Sequence, residues 1–257
     1  MAGDLVKCDF DSPVATVTIN RPQVLNAYNE ELLDQLYQTL EGLFADQKAA
    51  AIILTAEGSR AFSVGGDIDY LESLNSEQAK KLSQKGQHLC SLIESSDTVV
   101  IAAVDGYALG GGMEITLACD LRLASTRSRF GQPEVKLGII PAFGGTQRLP
   151  RLIGEAEAKE LLYTGDIIDA ALAYELGLIN KVVTPRSLLS EARELALEIT
   201  DRSTKAVKLI KTAVNKKYVE DAKAGYEYES EAFAECFKTE EHKVRIREMK
   251  RIVKEDS

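Results

Sequence analysis

Two stretches constrain this chain more than any others: residues 50–55, AAIILT, and residues 98–104, TVVIAAV. Each is a short, unbroken apolar run, and each is followed by a glycine-bearing loop and then by residues of helical character. Continuous rather than alternating hydrophobicity marks strands buried on both faces, as in sheets covered by helices. Residues 14–19, VATVTI, and 121–125, LRLAS, add two strand candidates. Helical spacing is carried by Leu32, Leu33, Leu36, Leu40, Leu43 and Phe44, and again over residues 76–94. The recurrence of strand, loop and helix predicts an α/β architecture with a largely parallel or mixed sheet. The usual nucleotide fingerprints are missing: GYALGGGME lacks the G-x-G-x-x-G offsets, and no G-x-x-x-x-G-K-[ST] occurs.

Beyond residue 200 the character changes, with no proline and the single glycine Gly225. Helices are predicted throughout, with apolar stripes (Val207, Ile210, Val214; Tyr226, Phe233, Phe237) that call for a partner surface. The expected division is a core of residues 1–198 and a helical C-terminal region of residues 199–257.

Composition narrows the chemistry. Asp plus Glu number 40 against 31 Lys plus Arg, a formal net charge of -9, which disfavours partners bound through phosphate neutralisation. No apolar run approaches the roughly 20 residues that span a bilayer. The N-terminus, MAGDLVKCDFDS, lacks the pattern of a secretory signal, so a cytoplasmic location is expected. Cys8, Cys90, Cys119 and Cys236 are scattered without a CxxC pair, which signals neither zinc nor a disulfide framework. The two histidines, His88 and His242, stand in helical stretches without a motif, so acid–base chemistry falls to carboxylates.

Two glycine loops follow the buried strands: Ser63-Val64-Gly65-Gly66-Asp67-Ile68, and Gly106-Tyr107-Ala108-Leu109-Gly110-Gly111-Gly112. Such loops serve either tight packing or close approach of a ligand to the backbone. If each aims one amide at a common point, together they form an oxyanion hole. Glu114 lies in the first turn of the next helix, among Met113, Ile115 and Leu117, where burying a carboxylate is costly. Glu134 follows Pro133, which biases Gln132 to extended geometry and presents the glutamate from a turn. The next residues, LGIIPAFGG, suit a pocket wall. Two glutamates beside glycine loops, in a chain nearly free of histidine, form a candidate acid–base pair.

The stretch from Ile101 through Gly110-Gly111-Gly112-Met113-Glu114 to Asp120 resembles the signature of the crotonase (enoyl-CoA hydratase/isomerase) superfamily. NRPQVLNAY, RAFSVGGDI, FGQPEVKLGIIPAFGGTQRLPRLIG, TGDIIDAALAYELGLINKVV and the helical tail match that family's order and spacing, from about residue 5 to about residue 240. The resemblance implies a crotonase-type spiral of repeated ββα units. It also implies a helical C-terminal region that trimerises the chain, as a trimer or a dimer of trimers, and acts as a lid over the CoA site. It implies acyl-CoA thioester substrates, with coenzyme A as part of the substrate and no separate cofactor or metal, and neither nucleic acid nor membrane as partner. By the same resemblance, the amides of Gly66 and Gly111 form the oxyanion hole, and Glu114 and Glu134 are catalytic. Ala27, Gly65, Asp67, Ile68, Asp69 and Gly110 contact substrate or CoA, and the acyl pocket draws on residues such as Tyr70, Leu71, Ile140 and Phe143.

Keeping both glutamates favours hydration of a trans-2-enoyl-CoA, or the reverse dehydration, over the family's isomerase, hydrolase and lyase activities. A non-catalytic or RNA-binding paralogue is the alternative of a different class; the glutamate pair and the net charge of -9 speak against it. Three departures concern CoA anchoring. Gln23 and Asp69 stand where lysines are common in the family, and the C-terminus lacks the family's usual ending; Lys250, Arg251 and Lys254 either partly replace the missing cations or form a solvated helix face.

Overall fold

The computed structural model describes residues 4–238 and 240–255. In chain order the strands and helices are β1 (Val6–Asp11), β2 (Val14–Ile19), α1 (Glu30–Asp46), β3 (Ala51–Ala56), β4 (Ala61–Ser63), α2 (Ile68–Ser73), α3 (Ser76–Ser95), β5 (Val99–Val104), β6 (Tyr107–Leu109), α4 (Gly111–Ala118), β7 (Leu121–Ser125) and β8 (Arg129–Gly131). They continue with α5 (Gly145–Ile153), α6 (Glu155–Thr164), β9 (Ile167–Asp169), α7 (Ala170–Glu175), β10 (Lys181–Val183), α8 (Leu188–Thr200), α9 (Thr204–Cys236) and α10 (Glu241–Glu255). Short 3₁₀ turns lie at Pro22–Val24 and Pro133–Leu137.

Two sheets form, in the orders β1-β2-β3-β5-β7-β10 and β4-β6-β8-β9. The larger is parallel from β2 onward, and β1 closes its edge as an antiparallel hairpin with β2. Successive turns of the chain place one strand in each sheet: β3 then β4, β5 then β6, β7 then β8. This is the spiral of ββα units. The apolar runs are buried as expected: every residue of β5 and all but the last of β3 are buried. Their side chains divide by period two. Ile52, Leu54, Val100 and Ala102 enter the main core, whereas Ile53, Ile101 and Ala103 pack with Leu188, Ala192 and Ala196 of α8 on the opposite face. Strand β1 had no sequence signal, since its residues are mostly exposed at a sheet edge and need no apolar pattern.

Helix starts follow local chemistry. The Asn29 side chain accepts from Leu32 N–H at the head of α1, and Asn75 with Gln78 forms a reciprocal capping box on α3. In the C-terminal region, α9 packs chiefly along α3. The two predicted stripes behave differently. Phe233 and Phe237 are buried, whereas Ile210 and Val214 remain exposed beside Leu209.

One buried cation fastens α9 to the core. Lys211, 7 % exposed, donates to Ile93 O, Thr98 O, Ser96 Oγ and Asp120 Oδ2 at 2.7–3.1 Å. Asp120 also accepts from Val100 N–H at 2.8 Å. Burial pushes the Asp120 carboxyl up, and Lys211 opposes that rise. Lys211→Ala leaves this carboxylate buried without its partner, so it should destabilise the fold by about 3–5 kcal/mol. Urea denaturation of the two proteins measures the difference.

Candidate active site

Strands β4 and β6 run side by side and in parallel, so the glycine loops that leave them emerge together. They are in contact: a Cβ added at Gly65 would lie 3.1 Å from Gly111 N and 3.4 Å from Gly110 Cα. On the first loop, Tyr28 N–H donates to Gly65 O and Asp67 N–H donates to Tyr28 O. That ladder passes over Gly66, whose own N–H stands outside it. On the second loop, Gly110 N–H donates to Gly131 O, and Gly111 opens α4, where the first amides have no intrahelical acceptor. Both glycines abut apolar side chains: Leu71 lies against Gly66 and the Phe143 ring against Gly111.

Glu114 and Glu134 are brought to this place from different elements, at 1 % and 8 % exposure. Gly110 takes φ +51°, a conformation favourable to glycine, and a Cβ there would stand 2.8 Å from Glu134 Oε1. The Glu134 carboxylate thus occupies room that only a glycine leaves. The buried Gln132 amide, with its nitrogen turned to Glu134, donates 3.2 Å to each oxygen.

The Glu114 carboxylate reaches the turn before α5. It accepts from Gly145 N–H at 2.6 Å and Phe143 N–H at 2.8 Å on Oε1, and from Ala142 N–H at 3.4 Å on Oε2. These donors at a helix N-terminus offset the cost of burying the charge. Gly144, at φ +100°, makes the turn possible, and a Cβ there would collide with Arg148.

A third carboxylate belongs to the same cluster. Glu229 of α9, 2 % exposed, accepts from Gly144 N–H at 2.6 Å, Thr146 N–H at 3.1 Å, the Thr146 hydroxyl and Gln87 Nε2 at 3.1 Å. The sequence offered a signal for it. Glu229 falls on the helical stripe of Tyr226, Phe233 and Phe237, where a carboxylate has no place unless something buried receives it. Gln132 and the turn amides of residues 142–146 carried no such signal.

Burial and crowding shift all three groups in one direction. Desolvation, then repulsion by Glu229 and Glu134, hold the Glu114 carboxyl well above the usual range, against the pull of the Gly145 and Phe143 amides. Desolvation, with a contribution from Glu229, pushes Glu134 up to about 8. Glu229 is raised by burial and restrained by Thr146, Gln87 and Gly144. Three carboxyls so buried and so close titrate as a group, each raised by loss of water and Glu114 and Glu134 also by their neighbours' charge.

The other residues expected to contact substrate or CoA also lie around the loops. Asp67 caps α2 by accepting from Asp69 N–H and Tyr70 N–H, and pairs with Arg21 at 2.7 Å, so its carboxylate is engaged in structure. Ala27 is buried and Ile68 half-buried. Asp69 does not stand as an uncompensated anion: Lys250 Nζ lies 2.5 Å from it and also pairs with Glu72, which Arg247 holds as well. Of the two readings of Lys250, a cation for the CoA phosphates or part of a solvated helix face, its pairing with Asp69 and Glu72 favours the second, and these pairs tie α10 to α2. Arg251 is exposed, and the side chain of Lys254 lies outside the described residues. Of the histidines, His88 is exposed on α3, and His242 is buried against the Phe237 ring, with centroids 4.5 Å apart.

Comparison with known proteins places these residues in context. Residues 9–252 match the model of the family described as Enoyl-CoA hydratase/isomerase. The chain is 45% identical over 233 residues to a short-chain-enoyl-CoA hydratase of Clostridium acetobutylicum, covering 91% of this chain and 89% of that one. It is 41% identical over 243 residues to a crotonyl-CoA hydratase of Syntrophomonas wolfei, covering 95% and 94%. Among solved structures, an enoyl-CoA hydratase from Bacillus halodurans superposes with a TM-score of 0.88 at 27% identity, covering 95% of this chain and 99% of that chain. One from Bacillus anthracis superposes at 0.80 with 36% identity, covering 87% and 90%.

The raised carboxyls make stability depend on pH. A Glu134 carboxyl near 8 in the folded chain and near its ordinary 4.5 in the unfolded chain means that the folded state binds the extra proton between those values. Stability from this group is therefore full below about pH 4.5 and is lost as pH rises through about 8. Glu134→Gln removes this loss, so its melting temperature relative to the parent should climb across that window. Thermal scans at several pH values check the trend.

Proposed function

The chain belongs to the enoyl-CoA hydratase/isomerase family, and from that membership and the carboxylate geometry we propose that it adds water reversibly to trans-2-enoyl-CoA thioesters. The observation that carries this reading is the pair of buried, mutually repelling glutamates seated beside two touching glycine loops. A hydratase must activate a water and protonate a carbon; an isomerisation needs no water.

An enoyl thioester is a weak electrophile until its carbonyl is polarised. In this reading the Gly66 and Gly111 amides donate to the thioester oxygen and stabilise the enolate that forms when water attacks C3. Water oxygen bonds to C3, the π electrons move toward the thioester oxygen, and C2 then takes a proton. Glu114 receives the proton from water and Glu134 delivers one to C2. Such a division needs one carboxylate and one carboxylic acid at the start. Burial and mutual repulsion favour that state over two anions. The chemistry uses coenzyme A only as the substrate's carrier, with no metal or redox group in any step.

Short acyl chains are the proposed substrates, in keeping with the names of the two relatives. The exposed Leu209, Ile210 and Val214 on α9 support assembly as a homo-oligomer; by the family resemblance we propose a trimer or a dimer of trimers, in the cytoplasm.

Loss of the enone absorbance of crotonyl-CoA on adding the protein tests the activity directly. Glu114→Gln and Glu134→Gln should each lower kcat by roughly 10²–10⁴. The double variant should be little worse than either single one, because both groups address one water. Effects that multiply would overturn the shared-water model, and a near-harmless Glu114→Gln would favour an isomerase.

A further inference from the structure

Four successive amides of one turn are divided between two buried carboxylates. Phe143 N–H goes to Glu114, Gly144 N–H to Glu229, Gly145 N–H to Glu114 and Thr146 N–H to Glu229. The two carboxylates thus share the amides of one turn in alternation. A displacement of the turn that lengthens one carboxylate's bonds therefore alters the other's.

Elements outside the glutamate pair hold this turn from every direction. Glu229 grips its amides from α9. Arg148 Nη1 donates 2.7 Å to Phe143 O, while Arg148 Nη2 pairs with Glu94 at 2.6 Å. The Ser83 hydroxyl donates 2.7 Å to Ala142 O and lies 2.9 Å from the Ser230 hydroxyl. Gln87 links the helices: its Nε2 donates to Glu229 and to Tyr226 O, and its Oε1 accepts from Ser230. Two adjacent residues of α9, Glu229 and Ser230, thus join α3 to the turn that carries the Glu114 donors.

A carboxylate is an expensive choice for a merely structural link, because its burial costs more than that of a neutral amide. What it supplies is two acceptor oxygens close enough to serve two amides and a hydroxyl at once. We infer that Glu229 is a positioning residue: it fixes the 143–146 turn so that the Phe143 and Gly145 amides hold the Glu114 carboxylate in register with water. Its positioning role runs through Glu114; its charge also contributes to the raised Glu134 carboxyl, an influence that Thr146→Val leaves in place. The inference rests on the reading of Glu114 as the group that addresses water. It makes the C-terminal helix part of the site's alignment, in addition to any role in assembly.

The test is a double-mutant cycle on crotonyl-CoA hydration. Glu229→Gln keeps the shape and loses one strong acceptor, so kcat should fall roughly 10- to 100-fold with KM close to the parent's, as expected for a small misplacement of a catalytic group. Glu229→Gln added to Glu114→Gln should cost little more at the pH optimum, since the group it positions is already gone, and its charge effect on Glu134 appears instead as a shift of the pH profile. A general loosening of the fold would instead multiply with Glu114→Gln and raise KM. Should Glu229→Gln not fold, Thr146→Val carries the same test. It removes one hydroxyl donor, and a kcat loss of a few-fold, absent in the Glu114→Gln background, is expected. A folded Glu229→Gln or Thr146→Val with the parent's kcat, or multiplicative effects, would overturn the positioning role while parental turnover leaves the hydratase reading intact. No crotonyl-CoA turnover by the parent would overturn both.

Discussion

A carboxylate placed among apolar side chains survives only where the backbone has amides left to give it. Helix N-termini and glycine turns are the places where a folded chain has them, because their amides are not committed to a ladder. Glu114 meets that condition through the turn at residues 142–145, and Glu229 through residues 144 and 146 of the same turn. The cluster as a whole is strained electrostatically, as the upward shift of all three carboxyls shows. Such a cluster lowers stability and concentrates proton-transfer capacity in one dry place.

The spiral is what makes this arrangement reachable. Each turn of the chain adds one strand to the large sheet and one to the small sheet, so equivalent loops stack on one another. The loops after β4 and β6 are equivalent in this sense, and their parallel pairing sets Gly65 against Gly110 and Gly111. The loop after β8 continues the series and carries Glu134 against Gly110. Three consecutive turns of one repeated unit therefore supply the first glycine loop, the second glycine loop with Glu114, and Glu134.

The helical C-terminal region has two chemically different attachments. Near its start, Lys211 is buried and neutralised by Asp120, with carbonyls taking its other protons. Near its end, Lys250 and Arg247 meet Asp69 and Glu72 of α2, in ion pairs open to water and hence of small worth each. Between them Glu229 enters the carboxylate cluster. The strong attachments lie along α9, and the weak one holds α10 over the first glycine loop's helix.

The sequence by itself determined the buried parallel strands, because AAIILT and TVVIAAV leave no polar face for water, and it determined the helical tail through its want of proline and glycine. It marked both glycine loops, Glu114 and Glu134 as candidates, since these residue types stand out against their own neighbours, and motif spacing carried the family resemblance. Only the tertiary structure decided what the charged side chains face. The family resemblance implied Asp67 and Asp69 as ligand contacts; the fold adds that one caps a helix and pairs with Arg21 and that the other pairs with Lys250, 181 positions away in the chain. Glu229 is not among the sequence candidates, since its stripe of Tyr226, Phe233 and Phe237 marks only a packing face, yet its carboxylate shares a turn with Glu114 across 115 positions. The physical reason is range. Hydrophobic period and backbone propensity are properties of adjacent residues, whereas the partner of a buried charge is fixed by which distant elements the fold brings within hydrogen-bonding distance.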